Sequence, residues 1–423
     1  MLRIYTENPS PRIKYVLDFV FKRHFSIGFE YTQDLSEAHI IYSKVSINQD
    51  YKGIYIPGSG ILSQSDAKQS YTISRTTIEG VEDYFGLIFY CISGYEFYNF
   101  TRFDVHGRYK TAEMQLGKIQ GYTQPIVNDL LDLIAAKLAE RFNLNLSTKY
   151  SFSAEVTFDI DHPWRYAYKD KKIEAGGVFK NLLNLDTKEL GRKFAYEQSG
   201  VDPYDVYELM EHATQQLPTT LFYLGNRTSE FDNRHPFSLE PYQHLINDNS
   251  RWSESGIHPS YHYRQNTDRL NTELNQLKHI DGKIVKSRLH FLRYEFPYTF
   301  RHANEAGIQE EYSLGLLHEG HYPLSYNRPV KWFDVANNKA TDLLLKPAAL
   351  MDRSLQKYMH LSGEEAAAKI KKVLAEYQQR EGHFILILHN ETLSEIDTWK
   401  GWRAPMLAVI KEMNKAHAGE ALQ

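Results

Sequence analysis

A single cysteine, Cys91, stands in a chain of 423 residues, so no intrachain disulfide can staple the fold and its stability must come from a packed core. An excess of one charge is missing too. With 49 Lys and Arg against 53 Asp and Glu the formal net charge is -4, which offers none of the basic surface that a nucleic-acid partner demands. No uninterrupted apolar run is long enough to span a bilayer, and the opening stretch MLRIYTENPSPRIKYVLDFVFKRHF lacks both the apolar centre and the small-residue cleavage site of a signal peptide. The expectation is a cytoplasmic protein with no membrane span. Repeats, low-complexity segments and charge blocks are also absent.

What is present is the make-up of an ordinary globular protein, 42% hydrophobic and 24% charged, long enough for two domains of usual size. Tyrosine alone numbers 30, and on composition core and interface packing accounts for it more readily than a carbohydrate-facing surface. The first third mixes strand-like runs, AHIIYSKV and KGIYIPG, with apolar-periodic helices, VEDYFGLIFYCISGYEFY and PIVNDLLDLIAAKLAERF. The second helix opens at Pro125 and fades into the polar NLNLSTK, which divides a small α/β domain, residues 1–146, from a second domain, residues 147–423. Beyond that boundary SAEVTF, TTLFYLG, KIVKSRLHFL, YSLGLL and HFILILH read as strands alternating with helices. One of these helices, EEAAAKIKKVLAEYQQ, carries the capping-box pair Ser362 and Glu365. Alternation of this kind predicts parallel strands with crossover helices, and such folds bind ligands at the C-terminal ends of their strands.

The strand ends are therefore where chemistry is sought. TFDIDHPW carries Asp159 and Asp161 one residue apart where an apolar strand stops. Alternate residues of a strand face one way, so both carboxylates leave the sheet on the same side and call for something cationic beside them. GIHPSYH holds His258 and His262 four apart, a spacing that on a helical turn brings both imidazoles to one face, as a shared metal requires. FILILHNE delivers His389 to the end of an apolar run, and LRYEFP closes a strand with Arg293 and Pro297. Singly, each is weak: 18 histidines yield about one such His pair by chance, and isolated acids, histidines and arginines are more often solvated or structural. Their shared position at predicted strand ends of one domain, in the order acid pair, His pair, Arg, His, is what points to a site.

In that order the blocks resemble the polysaccharide deacetylase superfamily, carbohydrate esterase family 4. The likeness is closer to a branch with an extra N-terminal domain, through TFDID, DPYD (Asp202 to Asp205), GIHPSY, SRLHFLR and HNE, with DYFGLIFYCISGYEFY and FDVHGRY nearer the N-terminus. It thus covers nearly the whole chain. The resemblance implies an α/β fold, a distorted (β/α) barrel preceded by a smaller α/β domain. It implies a divalent metal at the barrel's C-terminal mouth, Zn2+ foremost, with Co2+, Ni2+ or Fe2+ as alternatives. Asp161, His258 and His262 would be the ligands, a two-His, one-carboxylate set that leaves room for water and substrate. Asp159 would then be free as general base, His389 would protonate the departing amine, and Arg293 would orient and charge-balance Asp159. The implied reaction is hydrolytic removal of an N-acetyl group from an N-acetylated sugar or glycan precursor. Partners would be a carbohydrate substrate and other glycan-biosynthesis proteins.

Several positions depart from that pattern. DID replaces DDG, which shifts the metal carboxylate by one residue. His162 follows it where a small amide or Gly is expected, as a surface residue or a substrate contact in preference to a competing ligand. Glu311 stands for Asp, and HEGHYPLSYNRP replaces a glycine- and arginine-containing loop, with Arg328 several residues late and His318 and His321 within it. Asp104, His106 and Arg108 could form a second site, but are read as a structural turn with polar partners. A catalytically weak relative that binds carbohydrate or a biosynthetic partner is the alternative; the filled site positions speak against it and the altered loop for it.

Overall fold

Two sheets organise the chain. The computed structural model describes residues 1–45, 51–168, 187–232, 234–265, 267–318 and 320–419. Strands β1 (Leu2–Tyr5), β2 (Phe29–Thr32), β3 (Ile40–Ser43) and β4 (Ile54–Pro57) form a parallel sheet in the order β2-β1-β3-β4. Helix Tyr84–Ile92 is buried at every residue, so its sequence reads as an unbroken apolar run rather than an amphipathic stripe, and Asp83 caps it by accepting from Gly86 N at 2.7 Å. Helix Ile126–Phe142 packs against it and stops at Asn143, which takes the left-handed conformation of a C-terminal cap.

Among the described residues the second sheet has nine strands: β5 (Ser153–Ile160), β6 (Thr219–Tyr223), β7 (Glu254–Ile257), β8 (Lys286–Ser287), β9 (Glu310–Glu311), β10 (Val330–Asp334), β11 (Lys339–Leu345), β12 (Leu350–Met351) and β13 (His383–His389). Their order is β10-β11-β9-β8-β7-β6-β5-β13-β12, parallel throughout except for the β10-β11 hairpin. Period-two alternation sorts β5 cleanly. Val156, Phe158 and Ile160 belong to the large core that includes Met406, Val409 and Ile410 of helix Arg403–His417, while Glu155, Thr157 and Asp159 point to the other face. That other face is concave. Tyr312, one residue past β9, donates to Glu155 at 2.9 Å, although four strand spacings of about 4.8 Å would separate them in a flat sheet.

The curl stops short of a closed ladder. Among the described residues β10 and β12 are the unpaired edges, and the gap is spanned by irregular chain. Lys346 N and Ala348 N donate to Glu311 O and Leu314 O on one side, and Ala349 N donates to Ile385 O on the other. The expected barrel is therefore an open, mixed α/β sheet with mostly parallel strands.

Two predicted strands shrink as well. KIVKSRLHFL pairs only at Lys286 and Ser287, because the chain turns sharply through Phe291 and Leu292, both at positive φ (63° and 52°). YSLGLL is buried irregular chain, with pairing confined to the two residues before Tyr312. Strand HFILILH and the capping box of Gly363–Gln379 are as read from sequence. No helix among the described residues is long and apolar enough to cross a membrane.

Candidate metal centre and its cleft

Register brings the chemistry together. Asp159 on β5 sits directly opposite His389 on β13, and His258 N and Arg288 N extend the ladder by donating to Tyr223 O and Ile257 O. The ends of β5, β7, β8 and β13 thus open on one cleft of about 190 Å3. Its walls include Asp159, Asp161, His258, His290, Arg353 and His389.

Asp161 is the centre of the cluster. Its Oδ1 lies 3.3 Å from His258 Nε2, and its Oδ2 lies 3.5 Å from His290 Nε2 and 3.6 Å from His389 Nε2. Each imidazole is committed at its other nitrogen. His258 Nδ1 donates to Arg288 O at 2.5 Å, His290 Nδ1 to Asp232 at 3.2 Å, and His389 Nδ1 to Asp352 at 2.8 Å. Carbonyl and carboxylate oxygens only accept here, so each Nδ1 carries a proton and each Nε2 faces Asp161. Asp161, His258 and His290 can each offer one ligand atom, all within 4.8 Å of one another. Asp161 Oδ1 is moreover buried without a hydrogen-bond partner among the described residues. These donors fit a divalent cation: two neutral imidazoles with oriented rings, one carboxylate, and a carboxylate oxygen that the protein leaves unanswered.

Electrostatics agree with the geometry. Burial opposes ionisation of Asp161, but His290 above all, with His258 and His389, holds its carboxyl well below the usual range. Burial likewise opposes charge on His290 and His389, yet Asp161 and Asp232 raise the first to about 9, and Asp352 and Asp161 raise the second to about 9.

Two sequence expectations are corrected here. His262 is outside the cluster: residues 258–260 are irregular rather than helical, and the helical turn begins only at Tyr261, so the four-residue spacing does not put both rings on one face. The His262 ring packs edge-on against Tyr261, 5.4 Å away, and His290 occupies the place foreseen for it. Arg293 does not meet Asp159 either. It donates to the backbone carbonyls of His106 and Tyr261 and lies over the Tyr261 ring at 3.8 Å. The partner of Asp159 is Arg288, fully buried, with Nη1 2.7 Å from Oδ1 and its guanidinium 4.3 Å over Phe222. Both substitutes lie in the block SRLHFLR. Arg288 and His290 repeat the alternation of Asp159 and Asp161 at another strand end, and that was the signal available in the sequence.

The remaining blocks act as braces. Asp202 of DPYD accepts from the backbone N–H groups of Arg165, Tyr166 and Ala167 at 2.7 to 3.0 Å, which pins the loop after Asp161. Asn390 of HNE donates to His162 O at 3.0 Å, and Glu391 pairs with Arg353. His162 lines the cleft. Asp232, on a bend, and Asp352, at the start of the helical turn after β12, were missed by sequence reasoning, since neither lies in a recognisable pattern. Outside the cleft, Arg328 donates to Ser151 O and Glu381 O, His321 contacts Glu376 at 3.1 Å, and Glu311 accepts from Ser287 and Ser313. Arg328 and His321 thereby tie the altered loop to its neighbours.

Residues 2–143 match the model of a family of unknown function, DUF7033. No curated relative matches the sequence. Solved structures similar to this chain include one from Mycobacterium smegmatis described as a "putative polysaccharide deacetylase", 16% identical, with a TM-score of 0.40 over 63% of this chain and 84% of its own. A second, from Bordetella bronchiseptica, carries the same description with involvement in O-antigen biosynthesis; it is 13% identical, with a TM-score of 0.31 over 65% and 86%. PuuE allantoinase is 12% identical, with a TM-score of 0.41 over 65% and 88%.

Proposed function

We propose that this chain is a metal-dependent hydrolase that removes an N-acetyl group from an N-acetylated sugar or glycan precursor, with residues 147–423 as the catalytic unit. The observation that carries the reading is the convergence of oriented imidazole Nε2 atoms on Asp161, each ring fixed from behind by an acceptor. Asp161, His258 and His290 are the proposed ligands. A divalent cation bound there, Zn2+ being the ion such a donor set suits, supplies Lewis acidity toward the amide carbonyl and the attacking water.

The protein's own groups supply the proton transfers. Asp159 has one oxygen engaged by Arg288, while the other is 3.8 Å from His258 Nε2, on the cleft side. It therefore takes the proton of the attacking water as general base, and Arg288 holds it oriented. His389, directly opposite Asp159 across the β5-β13 pair, holds its Nδ1 proton on Asp352 and presents Nε2 to the cleft, from which it protonates the departing amine. Two proton carriers flanking one centre are what amide hydrolysis needs, since the amine is a poor leaving group until protonated.

The test joins metal analysis to acetate release. Purified protein should hold about one divalent ion per chain and release acetate from an N-acetylated sugar, lose both with a chelator, and regain both with Zn2+. A protein that binds no divalent ion, or that releases acetate equally well without one, removes the proposal.

A further inference from the structure

A turn near the N-terminus reaches the cleft. Asp104 accepts from His106 N at 2.8 Å, Arg108 N at 2.9 Å and Arg108 Nε at 2.8 Å, so the turn read from sequence as structural is structural. It also fixes Arg108 at a particular place. The guanidinium lies between the rings of Phe291, at 6.0 Å, and Tyr358, at 5.3 Å, and Nη2 donates to Tyr358 OH at 2.9 Å. Nη1 has no hydrogen-bond partner among the described residues.

Arg108 lines the metal cleft, and with Leu292 it also lines a second cavity of about 260 Å3 that continues past Lys110 and Tyr294. Lys357, exposed and 5.8 Å from the same Tyr358 ring, lines the metal cleft too and has no carboxylate partner among the described residues. The third cation there, Arg353, is already paired with Glu391. The acids of the cleft are taken as well, Asp159 by Arg288 and Asp161 by the imidazoles. Arg108 is itself paired with Asp104 through Nε and Nη2, the latter at 2.7 Å, but keeps Nη1 without a hydrogen-bond partner among the described residues, and Lys357 has no carboxylate, around a cleft with room for a ligand on both sides of Arg108.

We propose that Arg108 and Lys357 bind an anionic group, a carboxylate or a phosphate, on the sugar substrate, so that the N-terminal unit takes part in substrate selection. This rests on the hydrolase reading for the identity of the substrate as a sugar. A guanidinium held in plane by Asp104 and Tyr358 presents its remaining N–H donors in fixed directions, which suits oxyanion recognition at little entropic cost. The lysine adds charge without demanding geometry.

Isothermal titration of the full metal-loaded chain with N-acetylglucosamine, its 1-phosphate and its uronic acid tests the idea. At least one acidic sugar should bind about tenfold more tightly than the neutral one, and Arg108→Gln and Lys357→Gln should each remove most of that advantage without changing neutral-sugar affinity. Which acid is preferred separates phosphate from carboxylate. Lys357 is exposed, so K357Q keeps the test sound if R108Q disturbs the turn. Equal affinity for all three sugars, or no binding of any, overturns the proposal. A preference that survives both substitutions comes from the metal's own attraction for anions and overturns it as well. Acetate release is read separately: an acidic preference without release sinks the hydrolase reading alone, whereas release from neutral and acidic sugars at equal affinity sinks this inference alone.

Discussion

His389 Nδ1 lies 2.8 Å from Asp352 Oδ1, at the start of the helical turn that follows the neighbouring strand β12, while the other Asp352 oxygen accepts from His389 N at 2.7 Å. One carboxylate therefore fixes both the backbone and the ring of the proposed acid. Asp352→Asn should leave metal content intact and lower kcat about tenfold to a hundredfold with little change in KM, because the ring loses its orientation rather than the substrate its contacts. Steady-state kinetics on metal-replete protein checks this. An unchanged kcat would mean that His389 needs no such brace.

The ligand set is open to a direct comparison. His290→Ala should abolish stoichiometric divalent-ion binding, while His262→Ala, which removes a partly exposed ring packed edge-on against Tyr261, should leave it within about twofold. Metal analysis after dialysis decides between them. Loss in H262A with retention in H290A would restore the ligand set expected from sequence.

The two aspartates should separate in the same assay. Asp159→Asn should keep the ion and lose activity by about a hundredfold or more, the scale of removing a general base. Asp161→Asn should lose ion and activity together, since an amide oxygen is a poorer ligand than a carboxylate. Identical behaviour of the two variants would reduce the pair to an acidic patch.

Stability should carry a pH signature from far outside the cleft. His24 is buried with Nδ1 3.2 Å from Tyr326 OH, and burial, with Arg328 nearby, lowers its pKa from 6.5 to about 4. Between those values the unfolded chain binds the proton and the folded chain does not, so stability is full above about pH 6.5 and is lost as pH falls toward 4. The contribution should be about 2 kcal/mol between pH 7.5 and pH 5. Urea unfolding of the parent and of His24→Gln at both pH values measures it, and an equally large loss in the variant would assign the effect to other groups.

Much of the site was legible because strand ends announce themselves. Asp159, Asp161, His258 and His389 meet at one cleft; Asp159, Asp161 and His389 lie within a residue or two of the end of a strand whose apolar run is plain in the sequence, whereas His258 follows β7, whose ESGI carries no such run, and was marked only by its motif. Short or irregular segments were not legible. Two-residue strands such as β8 and β12 carry no period to read, and the buried chain after β9 looks like a strand because burial, not pairing, selects its apolar residues.

By itself, then, the sequence determined the parallel α/β character of the chain, the direction in which alternate strand residues point, and the residue types brought to the strand ends. Only the tertiary structure decided which histidine joins Asp161 and His258 and which arginine meets Asp159. Those choices are distances between atoms on different strands, set by how far the sheet curls and where the backbone leaves it. A spacing of four between His258 and His262 describes a common face only if the intervening chain is helical, and here residues 258–260 are irregular. His290, distant in sequence, arrives 3.5 Å from Asp161 because the concave sheet carries the end of β8 back toward the end of β5.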